Sequence, residues 1–180
     1  MVCELCAVAK KEVESELLYE DNEIMAVVHL KPAIPGQIIV FPKHHYPIFE
    51  QVPDKIIAKM FKIANKLGIA LFESLNCHGT NLLINNGVAA GQTMAHFSLN
   101  LIPRKEKDGL KLQWEPKKAS EEELQTAFLM INEKSKELHP DLFGREEKNE
   151  ELVEERGRPK EIKLDKKKEN YLLKSLKRLP

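Results

Sequence analysis

Three polar residues near the middle of the chain are separated by single apolar residues. His96, Ser98 and Asn100 follow this pattern, and in a β-strand successive side chains point to opposite faces, so the three polar groups would share one face. An imidazole, a hydroxyl and an amide can bind a phosphate group through hydrogen bonds. The sequence therefore predicts a polar site on a strand over residues 94–102 that ends before Pro103.

The same three side chains are poorly suited to cleaving a phosphate ester or anhydride. A serine hydroxyl needs a general base before it can act as a nucleophile. The nearest candidate base is His96, about 7 Å from Ser98 along an ideal strand face. Asn100 can donate a hydrogen bond to phosphate but cannot relay a proton. These residues indicate a site that binds phosphate more readily than it cleaves it.

Cysteine use suggests a metal or redox site. The chain has three cysteines, too few for a disulfide framework, and Cys3 and Cys6 form the motif CELC. In an intracellular protein this spacing is more often a metal or redox site than a disulfide. The alternative is a pair of inert cysteines near the N-terminus. Cys77 and His78 fit no ligand spacing and are interpreted as packing or surface residues.

Composition limits the class of protein. The chain has 180 residues, with 28 Lys plus Arg and 28 Asp plus Glu, so its net charge favours no particular partner. Its length suits one domain of ordinary size with residues to spare. No apolar run approaches the roughly 20 residues that span a bilayer, and the N-terminus MVCE lacks the pattern of a secretion signal. We therefore expect a soluble, cytoplasmic protein with no membrane partner.

Periodicity predicts an α+β fold. Ser120 and Glu123 form a capping-box pattern at the start of one helix, and Pro53 suits the first turn of another, core-facing helix. Alternating or β-branched runs predict strands at residues 17–18, 24–30, 37–41 and 80–84, in addition to the strand at 94–102. The segment EDNE between the first two strands is typical of a turn.

Three motifs, in order along the chain, resemble the histidine triad (HIT) family of nucleotide-binding proteins. They are YEDNEIMAVVHLKPAIPGQIIVFPKHH (19–45), NLLINNGVAAGQ (81–92) and GQTMAHFSLNLIPR (91–104). The resemblance implies a HIT-like α+β fold with an antiparallel sheet of about five strands and a long helix after the first strands. It also implies a nucleotide ligand and a homodimer whose sheets join.

The resemblance assigns roles to individual residues, and two of the three triad histidines are replaced. The family's middle histidine attacks the α-phosphorus of a nucleotide, and Ser98 stands at that position, with Asn100 at the third. His29 lies where family members often hold the ribose with an aspartate or asparagine. Residues at the nucleotide- or phosphate-contacting positions are Asn85, Gln92 and Thr93. The alternative for the asparagines and glycines of this segment is that they only build a tight loop.

Family members with an N-terminal CxxC motif bind one zinc ion, and the resemblance implies the same ligands in this chain. These are Cys3, Cys6, His45 and His96, with His44 as the substitute for His45. Two thiolates and two imidazoles make a closed tetrahedral site of the structural kind. The alternative is that His96 is a hydrogen-bonded core histidine.

Charge changes abruptly in the C-terminal part of the chain. We predict a HIT-like domain over residues 1–143, with a core at 1–104 and a helix at about 121–138, and a charged extension over 144–180. Within the extension, 146–155 is acidic and the part after it is basic. Lysine and arginine clusters bind phosphate backbones, so residues 156–180 suggest contact with RNA or a protein complex. The alternatives are docking on its own domain or on the other subunit and, less favoured, a membrane-surface helix.

Three functions are consistent with these features. The favoured one is a catalytically degenerate HIT protein that binds a nucleotide or phosphate group and acts by binding. The first alternative is an active nucleotide hydrolase or nucleotidyl transferase with altered catalytic residues. The second is a purely structural interaction module. Replacement of the triad at Ser98 and Asn100 is the observation that favours the first function.

Overall fold

A computed structural model describes residues 3–144 of the chain. These residues belong to two compact units that divide after Leu110, and each is described separately below. In the described part of the chain, no helix combines the length and apolar character needed to cross a bilayer.

The first unit is built around one antiparallel sheet of five strands. The strand order is β1-β2-β3-β5-β4, and every neighbouring pair is antiparallel. The elements are α1 (Glu4–Ala9), β1 (Leu17–Glu20), β2 (Ile24–Val28), β3 (Ile38–Pro42), α2 (Asp54–Leu75), β4 (Gly79–Leu83) and β5 (Leu99–Arg104). This arrangement confirms the predicted α+β fold. Helix α1 was not predicted.

The two faces of the sheet pack against different helices. One face contributes Ala26, Val40 and Leu99 to a core shared with α2. The opposite face contributes Val27 and Ile39 to a smaller cluster with α1. Since cross-strand partners lie on the same face, the register Val27↔Ile39 and Ile39↔Asn100 places Asn100 on the α1 side of the sheet.

Helix α2 has the core-facing stripe that its periodicity predicts. Pro53 precedes the first helical residue as the N-cap, and the helix ends at Leu75 with Asn76 as its C-cap, whose φ of 54° is left-handed. The buried positions recur at three- and four-residue spacing: Ile56, Met60, Ile63, Ala64 and Leu71. Burying apolar area of this kind supplies most of the stability of a helix in a small domain.

The turn between β1 and β2 is organised by Asp21. Its Oδ1 accepts hydrogen bonds from the backbone N–H of Glu23 and Ile24, and its Oδ2 accepts one from the Tyr19 hydroxyl. Lys59 of α2 lies 2.8 Å from the same carboxylate. Burial opposes ionisation of Asp21, but these hydrogen bonds outweigh it and hold the pKa of Asp21 well below its usual value.

The strand predicted at 94–102 is displaced toward the C-terminus. Residues 94–98 lie outside any strand, and β5 continues through Pro103. The segment before β5 departs from the sheet because His96 is held by Pro42, and Phe97 by the carbonyl of Tyr46. Pro103 is tolerated because the ladder with β3 ends at Leu101, so its missing N–H falls on the unpaired side of β5.

The second unit contains helices α3 (Glu121–Leu138) and α4 (Pro140–Phe143). The predicted capping box is present: Ser120 Oγ accepts from the N–H of Glu123, and the Glu123 carboxylate accepts from the N–H of Ser120. None of the residues of α3 is buried. The charged segments predicted at 146–155 and 156–180 lie outside the described residues.

Candidate metal centre and phosphate site

Four metal-ligating side chains converge from three distant parts of the sequence. One ligand atom from each of Cys3, Cys6, His45 and His96 can be chosen so that all four lie within 4.8 Å of one another. The Cys3 Sγ lies 3.3 Å from His96 Nδ1, and the Cys6 Sγ lies 3.2 Å from His45 Nδ1. Two sulfurs and two imidazole nitrogens at these separations fit a tetrahedral zinc ion, whose ligand atoms stand roughly 3.5 Å apart.

The chain brings these ligands together by local structure at each site. Cys3 is the N-cap of α1 and Cys6 lies in its first turns, so one short helix presents both thiols on one side. Burial raises the pKa of the Cys6 thiol, and the neighbouring Cys3 raises it further. His45 follows β3, whereas His44 contacts the ring of Tyr46 at a centroid distance of 4.7 Å and is not part of the cluster.

Both ring nitrogens of His96 are engaged. The side chain is 2% exposed, its Nε2 lies 2.8 Å from the carbonyl oxygen of Pro42, and its Nδ1 faces the two cysteine sulfurs. A carbonyl oxygen only accepts, so Nε2 carries the proton and Nδ1 is left unprotonated in the neutral ring. Burial lowers the pKa of His96 below its ordinary value, which keeps the ring neutral as a metal ligand requires.

Among residues 3–144, the hydroxyl of Ser98 has no hydrogen-bonded base. Ser98 is half-buried, and across residues 3–144 no hydrogen bond to its hydroxyl is formed. The nearest imidazole in the sequence is that of His96. Its Nε2 already donates to the carbonyl oxygen of Pro42, and its Nδ1 is directed at the thiols. A serine in this setting retains the nucleophilicity of an ordinary alcohol, which is low near neutral pH.

Asn100 is held by a residue that the sequence analysis did not identify. The Nε2 of Gln37 donates to Asn100 Oδ1 at 2.9 Å, and the Oε1 of Gln37 accepts from the N–H of Ala33 at 2.8 Å. Gln37 is one of two buried polar residues in the described part of the chain, and the other is His96. A glutamine just before a β-branched strand gives no sequence signal of this role, because its partner lies 63 residues away.

Two residues predicted to contact a nucleotide, Gln92 and Asn85, instead make hydrogen bonds to the backbone in and beside the loop that precedes β5. The Nε2 of Gln92 donates to the carbonyl oxygens of Pro47 and Met94, and its Oε1 accepts from the N–H of Gly87. The Nδ2 of Asn85 donates to the carbonyl of Gly91. These bonds occupy both amide hydrogens of Gln92, so its side chain positions the loop. Thr93 is exposed.

His29 lines a cleft beside α1 and the start of β1. The cleft has a volume of about 690 Å³, and Val8, Leu17 and Met25 are among the residues that line it. The backbone N–H of Lys31 donates to His29 Nδ1, so in the neutral ring Nε2 carries the proton. Burial lowers the pKa of His29. Clefts of this size are typical of small-molecule sites.

The sequence model described as "HIT domain" matches residues 10–107, more than half of the 180 residues. The chain belongs to the HIT family. The matched segment contains β1 to β5 and therefore the whole sheet. Residues 3 and 6, which carry the two clustered thiols, lie just outside it.

Individual HIT proteins are similar to this chain in sequence and in structure. Adenylylsulfatase HINT3 of Arabidopsis thaliana is 34% identical over 108 residues, which cover 60% of this chain and 55% of that protein, so the chain spans about half the length of this relative. A HIT family protein from Bacillus anthracis has a TM-score of 0.67 at 31% identity, covering 73% of this chain and 96% of its own.

A zinc-bound relative bears on the thiol and imidazole cluster. The crystal structure of a Zn-bound histidine triad family protein from Mycobacterium smegmatis has a TM-score of 0.58 at 28% identity. The similarity covers 74% of this chain and 97% of that chain. Together with the Cys2His2 cluster, this similarity makes zinc the metal to test in this protein.

Proposed function

We propose that this HIT protein binds a nucleotide or another phosphate-containing ligand without efficient turnover, and that it acts by binding. The observation that carries the proposal is the state of His96. Because Nε2 donates to the carbonyl oxygen of Pro42 and Nδ1 faces the cysteine sulfurs, the imidazole cannot accept a proton from Ser98. The family's phosphorus-attacking position therefore holds an unactivated hydroxyl.

The polar group of Asn100 and an apolar pocket lie on the same face of the sheet, which supports a ligand that extends across that face. Val27, Ile39 and Asn100 are successive cross-strand neighbours, so Asn100 lies about 10 Å from Val27 at the usual strand spacing. Val27 and Ile39 also line a small apolar pocket together with His29. A nucleoside in this region would place its phosphate toward Ser98 and Asn100.

The cluster of Cys3, Cys6, His45 and His96 would hold one zinc ion. With four protein ligands the ion has no open position for water or substrate, so its contribution is structural. In this arrangement His96 serves the metal and not the ligand. Ser98, Asn100 and Thr93 would contact the phosphate, Gln92 and Asn85 would shape the loop, and His29 would donate from Nε2 to the nucleoside.

Calorimetry and a turnover assay on the same purified protein test this function. We expect heat of binding for AMP at up to millimolar ligand, and no hydrolysis of adenosine phosphoramidate or of a dinucleoside polyphosphate. Turnover of about 1 per second or more, an ordinary enzyme rate, would contradict the proposal. Absence of any nucleotide binding would favour a structural interaction module instead.

An active enzyme with altered chemistry is the second candidate. The observation that favours it is the similarity to Adenylylsulfatase HINT3, whose name states an enzymatic activity. If Ser98 were the nucleophile, Ser98→Ala would abolish turnover and leave nucleotide affinity nearly unchanged. The binding proposal expects no turnover to lose.

Partners beyond the nucleotide are part of the same proposal. Basic residues 156–180 would contact RNA or a ribonucleoprotein, so removal of residues after Gly144 should abolish RNA binding without changing AMP affinity.

A homodimer would join two sheets through an edge strand; β4 is one such edge, and its Leu82 is 52% exposed. Sedimentation of the full chain measures its oligomeric state directly, and a monomer would count against the proposed homodimer.

A further inference from the structure

The amide of Asn100 has a defined orientation, which can be traced from a backbone group. The N–H of Ala33 can only donate, so the atom of Gln37 that lies 2.8 Å from it is the oxygen Oε1. The other end of the Gln37 amide is then the NH2 group, which donates to Asn100 at 2.9 Å. The atom of Asn100 that receives this bond is its oxygen Oδ1.

Gln37 itself has little freedom to turn its amide over. It is 6% exposed, its backbone N–H donates to the carbonyl of Ile34, and its carbonyl accepts from the N–H of His29. Reversing the amide would place an NH2 group against the N–H of Ala33 and leave two donors facing each other. A buried donor without an acceptor costs about 1–3 kcal/mol, so the observed orientation is strongly preferred.

The remaining half of the Asn100 amide therefore consists only of donors. Nδ2 makes no hydrogen bond to the described residues. Within residues 3–144 no buried side-chain nitrogen or oxygen lacks a partner, so Nδ2 is reached by solvent. Asn100 presents two N–H groups and no acceptor to whatever occupies the site, beside the hydroxyl of Ser98.

We propose that Gln37 is a positioning residue that fixes Asn100 as a donor and thereby makes the site favour ligands that carry an anionic oxygen, as phosphate does. The inference rests on the proposed function and specifies its ligand chemistry. A phosphate oxygen accepts from Nδ2, whereas an ammonium or amide N–H at the same place would meet another donor. Gln37 acts through Asn100 and has no need to touch the ligand.

Replacing Gln37 with glutamate tests the assignment with almost no change in shape. In Gln37→Glu the carboxylate still accepts from the N–H of Ala33 but cannot donate to Asn100, so the Asn100 amide turns over and exposes Oδ1. We expect AMP affinity to fall about tenfold or more, the loss typical of a hydrogen bond to a charged group. Affinity for adenosine, which lacks the phosphate, should change less than about twofold, because apolar contacts dominate nucleoside binding.

Two further variants separate orientation from charge and from folding. Gln51→Glu adds the same charge at an exposed glutamine of the same unit and should leave AMP affinity unchanged. Gln37→Met removes both hydrogen bonds without adding charge and should lower AMP affinity by a smaller factor. If Gln37→Glu fails to fold, Gln37→Met and the spectra of the wild type still decide the question.

Side-chain amide NMR supplies a readout that a merely structural role would not change. In the wild type the Asn100 NH2 resonances should shift on addition of AMP or inorganic phosphate. In Gln37→Glu they should be insensitive to both and protected from exchange with water. If the wild type binds AMP and Gln37→Glu binds AMP with the same affinity, the inference is overturned and the proposed function stands. Wild-type protein that binds neither AMP nor phosphate would overturn both.

Discussion

His96 Nε2 lies 2.8 Å from the carbonyl oxygen of Pro42, the last residue of β3. This bond links the segment before β5 to the neighbouring strand and fixes the tautomer of the imidazole, so that Nδ1 is free of a proton and directed at Cys3 and Cys6. Hydrogen bonding of the second ring nitrogen is the usual way in which proteins orient a histidine toward a metal. The bond therefore leaves His96 Nδ1 available as the fourth ligand of the proposed zinc site.

Adjacent histidines allow a matched test of the metal centre. His45→Ala removes one of four ligands, and we expect the zinc content to fall from about one equivalent to less than half, with a melting temperature lower by about 5 °C or more. His44→Ala, one residue away and outside the cluster, should change neither quantity. Metal analysis and thermal unfolding with and without chelator measure both. Equal effects of the two variants would count against the assignment.

Placing an imidazole at position 98 should create a nucleophile. An imidazole is nucleophilic at neutral pH without a separate base, because its pKa lies near 6.5. We expect Ser98→His to release AMP from adenosine phosphoramidate about a hundredfold or more above the uncatalysed background, the low end of the gain from a positioned catalytic side chain, whereas the wild type should not exceed that background. Ser74→His, the same substitution at an exposed serine of α2 outside the site, is the control. A wild type as fast as Ser98→His would show that Ser98 already suffices.

Two glycines of the first unit should respond oppositely to alanine. Gly36 has a φ of +88°, which an alanine adopts only with backbone strain, whereas the exposed Leu75 side chain beside it can move aside, so Gly36→Ala should lower the free energy of unfolding by about 1–3 kcal/mol. Gly68 lies within α2 with open space around it, so Gly68→Ala should raise it by about 0.5–1 kcal/mol. Urea denaturation measures both changes, and an equal response would contradict this account.

The Asp21 turn should make stability depend on pH in the acidic range. Because folding lowers the pKa of Asp21, its carboxylate stabilises the fold above the unfolded-state pKa near 4, and this contribution is lost as pH falls through the folded value. We expect Asp21→Asn to be less stable than the wild type at pH 7, with a smaller difference at pH 3. Glu73→Gln, at an exposed position, is the control. A difference independent of pH would disprove the assignment.

Patterns within one element predicted most of the fold. The β-branched run before Pro42 and the three- and four-residue spacing around Met60 both mark buried elements, and β3 and α2 formed there. Helix α1 was not predicted, because its six residues are too few for a helical spacing of apolar residues to be recognised. The start of β5 was misplaced because alternation continues through His96 and Ser98, although bonds from other segments bend the chain there.

The candidate site was predictable only where the family resemblance supplied the partners. The convergence of Cys3 and Cys6 with His45 and His96 follows from motif order, and the structure brings these four side chains together. Gln37 lacked such a guide. Its importance comes from burial and from a partner far away in sequence, which a single sequence does not reveal. Gln92 matched a ligand-contacting position, yet its side chain is bonded within the loop.

Helix α1 and its N-cap supply the two thiols of the candidate metal cluster, and the helix also supplies Leu5 and Val8 to the apolar pocket beside His29. A six-residue helix has too few internal hydrogen bonds to persist in isolation, so its conformation depends on what it is anchored to. If the cluster binds an ion and the pocket binds the ligand, we expect the two occupancies to be thermodynamically linked: an ion that orders α1 would also complete one wall of the pocket, and a chelator that removes the ion should weaken ligand affinity without contacting the ligand.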